Sequence, residues 1–196
     1  MRLIVATRND HKLRELSQIL AAAELVPLAP EVELPPETGD TFEANALIKA
    51  RATHAACGEA ALADDSGIAA RALGGRPGVR SARFAGENAT DQENLDLLIA
   101  ELRDHDDRSV AYVCALAHVG ADGSETVVEA RCEGRLTLEP RGKRGFGYDP
   151  AFVPDDTGPG DERTMAELSY EEKHVISHRG RAARALALTL GLGGAA

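Results

Sequence analysis

The apolar segments "SVAYVCALAHVG" (109–120) and "ETVVEARCEG" (125–134) are separated by four residues, "ADGS". A connection this short and rich in turn formers brings two β-forming runs back antiparallel, as a hairpin. Elsewhere the apolar runs are separated by helical patterns. "RLIVA" (2–6) reads as a buried strand and precedes "HKLRELSQILAAA", whose Leu13, Leu16, Ile19, Leu20 and Ala23 form one apolar stripe, with Asn9 or Asp10 as the cap. "ELVPLA" (24–29) is the next strand. A helix between strands carries the chain over a sheet face and permits parallel pairing. Hairpin and crossover in one chain predict an α/β fold: a mixed sheet flanked by helices.

The remaining punctuation agrees. "EVELPPETGD" is a proline-rich loop, and Asp40 and Glu43 have capping-box spacing at the start of a helix from about Thr41 to Cys57, which Gly58 ends. "EAALA" (59–63) reads as a strand halted by Asp64 and Asp65, and "GGRPGVRSARFAGENA" (74–89) as a long loop. Thr90 with Glu93 and Ser169 with Glu172 mark two more capping boxes, the first opening "DQENLDLLIAELRD". "AFV" (151–153) is a short strand, and "RGRAARALALTL" (179–190) is helical. With no linker, no internal repeat and no low-complexity stretch beyond "GLGGAA", residues 1–196 are expected to act as one domain.

Composition narrows the partners. The formal net charge is −10, which disfavours gripping a nucleic-acid polymer through its phosphates. A small anionic substrate is still admissible if a metal ion or a few local cations receive it. Three cysteines with neither CxxC nor zinc spacing suit a reduced, cytoplasmic protein. No signal-peptide pattern or membrane span is expected.

Four segments carry chemistry. "ATRNDHK" (6–12) is a strand end, a polar turn and a helix start, suited to a phosphate through free N–H groups and the helix dipole; its candidates are Thr7, Arg8, Asn9, Asp10, His11 and Lys12. It lacks the glycines of a Walker loop. In "ETGDTFEANALIKA" (37–50), Asn45 and Lys49 share a helix face, and Glu37 lies just upstream. In "LADDSG" (62–67), neighbouring strand residues point to opposite faces, so Asp64 and Asp65 are expected to do different jobs. One could hold Mg²⁺ or take a proton from water, while the other pairs with an arginine of the following loop or caps a turn; both could instead be turn residues before Ser66 and Gly67. In "GFGYDP" (145–150) glycines let the backbone approach a flat ligand on which Phe146 stacks, and in "EEKHVISHRG" (171–180) Lys173, His178 and Arg179 are donors to phosphate or base carbonyl. His174 and His178 are four apart, but no HExxH pattern accompanies them to argue for zinc.

Taken in order, "ATRNDHKLREL", "ETGDTFEANALIKA", "LADDSGI" with "ALGGRPGVRSARFAG", "ATDQENLDLLIAEL", "GFGYDPAFVP" and "TMAELSYEEKHVISHRGRA" resemble the inosine triphosphate pyrophosphatase family, over nearly the whole chain. These enzymes hydrolyse non-standard purine nucleoside triphosphates. The resemblance implies a long mixed sheet with helices, two lobes with the substrate in the cleft, a homodimer and Mg²⁺. It implies that Thr7, Asn9 and Lys12 hold phosphates and that Glu37 helps hold the metal. Lys49 would lie in the catalytic site, and Asp65 would serve as proton acceptor and metal ligand with Ser66 beside the substrate. In the "FGYD" run Phe146 would lie against the base, with Gly147 and Tyr148 in the same pocket wall and Asp149 supporting it. Lys173, His178 and Arg179 would complete base and phosphate recognition. One departure stands out: the family's first motif usually reads Thr-Gly-Asn, where this chain has Thr7-Arg8-Asn9. A Maf-type pyrophosphatase is a second reading, although its first motif is typically rich in serine and arginine, unlike "TRNDHK". A nucleotide sensor without turnover is a third, against which Glu37, Lys49 and Asp65 argue, since binding alone needs no base.

Overall fold

The protein is described here from a computed structural model covering residues 1–192; the glycine-rich end noted above lies outside the described residues from position 193. Six strands form one sheet in the order β2-β1-β3-β4-β5-β6. β1 (Arg2–Val5) pairs parallel with β2 (Glu24–Pro27), Leu3 opposite Leu25, and parallel with β3 (Ala61–Ala70), Val5 opposite Leu62. β4 (Ser109–Val119) and β5 (Glu125–Leu136) follow, and β6 (Phe152–Pro154) runs antiparallel to β5, with Leu136 opposite Phe152. The expected mixed sheet is therefore present. Its helices are α1 (Asp10–Ile19), α2 (Phe42–Cys57), α3 (Asp91–Leu102), α4 (Tyr170–Ile176) and α5 (His178–Thr189).

Local chemistry sets most boundaries. The capping boxes of Thr90 with Glu93 and Ser169 with Glu172 are both closed reciprocally. α2 starts one residue later than Asp40 would place it: Thr41 is the cap, its hydroxyl accepting from Ala44 N at 3.1 Å, and Gly58 ends the helix at φ 68°. α1 is shorter than its apolar stripe, because Leu20 leaves helical geometry and the chain turns into β2. The expected loop at 74–89 contains a short 3-10 helix, Gly78–Arg83.

The main correction concerns β3. The strand does not stop at Asp64 but runs on through Ser66 and Gly67 to Ala70, so the two aspartates are not turn residues. β3 lies next to β4, itself eleven residues long, and continues beyond Leu62, the last of its residues paired with β1. Gly67 is required by closeness rather than by a turn. A Cβ there would lie 2.3 Å from Ser81 Oγ, which accepts from Ile68 N at 2.8 Å.

The chain divides into two compact units, and it passes from one to the other within β3, β4 and β5 and at the start of α5. The first comprises residues 1–65 and 114–130 with the chain from Arg179, and its core gathers Leu3, Val5, Leu16, Leu62, Leu116 and Leu186. The second comprises residues 66–113 and 131–178, around Ile68, Leu98, Tyr112, Leu136, Phe152 and Met165. Among the described residues no helix is long and apolar enough to cross a membrane.

Candidate active site

In the first unit, β1 delivers the chain into the turn Thr7–Asn9. Thr7 Oγ1 accepts from Asn9 N at 3.1 Å, and Asn9 Oδ1 accepts from His11 N and Lys12 N at 2.9 and 3.1 Å, capping α1. Asp10 and His11 are exposed on the first turn. Arg8, which replaces the glycine expected there, folds onto the chain after β2 and donates to the carbonyls of Leu28 and Ala29 at 2.8 Å and Val32 at 2.6 Å. In this structure its guanidinium braces that segment.

The alternation of β3 separates the two aspartates as expected. Asp64 is fully buried and accepts from Lys12 Nζ at 2.5 Å, Arg179 Nε at 2.8 Å and Cys114 Sγ at 3.2 Å. Arg179 also donates to Glu15 Oε2 at 2.5 Å. Two cations and two carboxylates thus balance within the core. Burial pushes the Asp64 carboxyl up, but the charges of Arg179 and Lys12 outweigh it and hold Asp64 well below the usual carboxylate range. The arginine partner comes from the start of α5, not from the loop after β3.

Asp65 faces a different environment. Lys49 Nζ lies 3.6 Å from its Oδ1 and 2.5 Å from Glu37 Oε1, and donates to the Asp64 carbonyl at 2.8 Å. Asp65 is 5% exposed, and its Oδ2 has no hydrogen-bond partner among the described residues. Burial raises its pKa against the pull of Lys49, and Glu37 adds to the rise. Lys49, though buried, is kept charged by Asp65 and Glu37. A carboxyl with raised proton affinity is equipped to take a proton, whereas Asp64 is not.

In the second unit, Asp149 is the node. Its Oδ1 accepts from Tyr112 Oη at 3.1 Å, and its Oδ2 from Phe146 N at 3.0 Å and Lys173 Nζ at 2.7 Å. Gly145, at φ 76°, cannot carry a side chain, since a Cβ would overlap Asp149 Oδ2. Lys173 Nζ stands 5.3 Å from the centroid of the Phe146 ring. Gly147 N donates to Asp91 Oδ2 at 2.9 Å, and Tyr148 Oη to the Ser81 carbonyl at 2.7 Å. His178 stacks on Tyr112, centroids 4.6 Å apart and planes at 14°. Ser66, just after Asp65, is half-buried. Ser177 separates α4 from α5, so His174 and His178 do not share a helix face, and the geometry behind a zinc pair is absent.

The structure thus divides the neighbours His178 and Arg179: the histidine joins Tyr112, the arginine joins Asp64. Sequence reasoning missed Tyr112, Glu15 and Cys114. Tyr112 had a signal, because a phenol inside an apolar strand must find a partner for its hydroxyl. Glu15 had another, a carboxylate directly beside the buried stripe of α1.

The Ham1 family model matches residues 3–188. A dITP/XTP pyrophosphatase of Mycolicibacterium paratuberculosis is 50% identical over 94% of this chain and 93% of its own length. One from Streptomyces coelicolor is 48% identical over 94% of each. Among solved structures, a HAM1 protein from Coxiella burnetii superposes with a TM-score of 0.87 at 39% identity, covering 97% of this chain and 98% of the other.

Proposed function

The chain belongs to the Ham1 family, and from that premise we propose that it hydrolyses non-standard purine nucleoside triphosphates (ITP, dITP and XTP) to the monophosphate and pyrophosphate, clearing them from the nucleotide pool. The observation that carries this reading is the difference between two adjacent carboxylates. Asp64 is neutralised by Arg179 and Lys12, while Asp65 is buried beside Lys49 and Glu37 with its proton affinity raised. Water attacks the α-phosphorus, Asp65 takes its proton, and pyrophosphate leaves. Lys12 and Lys49 offset the charge of the phosphates.

A divalent cation, expected to be Mg²⁺, fits the donor set. Glu37 and Asp65 would hold it. Mg²⁺ asks for only one or two protein carboxylates and fills the rest with water and substrate phosphate, which accords with the absence of any larger ligand cluster among the described residues. When bound it supplies charge neutralisation for the phosphate oxygens. The carboxylate at Asp65 and the ammonium at Lys49 set the protein's own contribution.

The base is assigned to Phe146, His178 and Lys173, with Asp149 and Tyr112 bracing them. Hypoxanthine and xanthine carry a carbonyl where adenine carries an amine, so donors aimed at that edge accept the first two and oppose the third. Unpaired buried groups of this kind discriminate by roughly 10⁴-fold. Phe146→Ala is expected to weaken ITP binding by ~1–3 kcal/mol, as loss of a base-stacking ring does on single strands. It should leave the melting temperature nearly unchanged, since Phe146 is only partly buried. An unchanged KM and an unchanged preference for ITP over ATP would place the base elsewhere.

The relatives reported above are dITP/XTP pyrophosphatases, so neither the Maf-type nor the sensor reading is favoured. A cytoplasmic homodimer, with residues 1–196 as one functional domain, completes the proposal. The deciding experiment is product analysis across ITP, dITP, XTP, ATP and GTP, with Mg²⁺ and with excess chelator. Pyrophosphate and monophosphate should form from the first three, and only with the cation. Stepwise orthophosphate release, full activity in chelator, or equal turnover of ATP would overturn it.

A further inference from the structure

Asn45 lies on α2 one turn before Lys49, is fully buried, and has no role assigned above. Its Oδ1 accepts from Gly39 N at 2.7 Å. Gly39 comes two residues after Glu37, and the contact leaves no slack. A Cβ on Gly39 would lie 2.7 Å from Ala44 Cβ and 2.8 Å from Asn45 Oδ1. The segment carrying Glu37 is therefore pressed against the first turns of α2, and from that anchor Glu37 reaches Lys49. At the other end of the amide, Asn45 Nδ2 is buried with no hydrogen-bond partner among the described residues, and the same holds for Asp65 Oδ2. The Asn45 side chain nevertheless acts on the Asp65 carboxyl as a hydrogen-bond donor and favours its charged form.

We infer that Asn45 is a positioning residue of the acidic centre, locking the Glu37 segment to α2 so that Glu37, Lys49 and Asp65 are held as one constellation. It acts through Glu37 and does not touch the nucleotide. The inference deepens the proposed function, resting on Glu37 and Asp65 as the carboxylates that receive the cation and the water. Without the Oδ1 contact, Gly39 N loses its acceptor and the proline-rich segment before it is free to shift. A displacement of about an ångström at a reacting centre costs on the order of 10²-fold in rate.

The test compares Asn45→Ala, Glu37→Gln and the double variant, with Gly39→Ala as a second route into the same contact. Two readouts are taken: kcat and KM for ITP, and the shift in melting temperature on adding Mg²⁺ without nucleotide. Asn45→Ala and Glu37→Gln should each lower kcat by roughly 10- to 10²-fold with little change in KM. Each should shrink the Mg²⁺-induced melting shift. The double variant should be no worse than the more impaired single one, and Gly39→Ala should follow Asn45→Ala. Losses that multiply in the double variant, or an Asn45→Ala protein with parental kcat and Mg²⁺ response, overturn the inference. If Asn45→Ala does not fold, Gly39→Ala enters the same cycle with Glu37→Gln and is judged by the same rule. A Glu37→Gln protein silent in both readouts removes the reading of the acidic centre, and the inference with it. An impaired Glu37→Gln beside a silent Asn45→Ala removes the inference alone.

Discussion

Asp65→Asn is expected to lose ~10²–10⁴ in turnover of ITP, the usual cost of removing a general base, while melting no lower than the parent at pH 7. Both halves follow from the same environment. Asparagine keeps the size and Lys49 keeps Glu37 as a partner at 2.5 Å, but the amide cannot take a proton from water. On stability, burial raises the Asp65 pKa in the folded state. A raised pKa means the folded state favours the neutral acid, so whatever Asp65 contributes is present at low pH and is lost as pH rises through its folded pKa. At pH 7 the charged form is a burden that asparagine relieves. Nucleotide should still bind, because Lys12, Lys49 and Lys173 remain. Single-turnover assays beside thermal melts decide it. A folded, active Asp65→Asn would remove Asp65 as the base.

The opposite pattern is expected one residue earlier. Asp64→Asn should unfold more easily by about 3–5 kcal/mol, the cost of breaking a buried ion pair from one side. For a chain of this size that corresponds to a drop of roughly 10 °C in Tm. Arg179, 1% exposed, would lose its Asp64 partner while keeping its ion pair with Glu15, and Lys12 would lose its contact at 2.5 Å. The sign of the pH dependence also inverts relative to Asp65. The Asp64 pKa is lowered in the folded state, so its contribution is complete above the unfolded value, near 4, and is lost as pH falls through the folded one. The parent should therefore lose part of its advantage over Asp64→Asn in acid. Relief of repulsion between neighbouring aspartates does not rescue this variant, because the strand turns the two carboxylates to opposite faces and cations hold each of them. A Tm within two or three degrees of the parent, roughly 1 kcal/mol, would show that the buried pairing contributes little.

Much of this protein was written in local chemistry that acts over a few residues. "ADGS" between two apolar runs required a hairpin, and Thr90 with Glu93 and Ser169 with Glu172 required helix starts, because a capping box closes within four residues. The ordered motifs were sufficient to point to the family, whose model matches residues 3–188. Alternation within a strand was sufficient to say that Asp64 and Asp65 have different surroundings. Which of them is neutralised required the fold, because Arg179 lies 115 positions from Asp64 and Glu15 lies 164 positions from Arg179. The same is true of Tyr112, braced on Asp149 from 37 positions away, and of β3, which continues past its carboxylates because its place in the sheet is beside the long strand β4. Local hydrogen bonds are chosen by neighbours in sequence. Burial, and with it the proton affinity of a carboxyl, is chosen by whichever distant charges the packed core brings within reach.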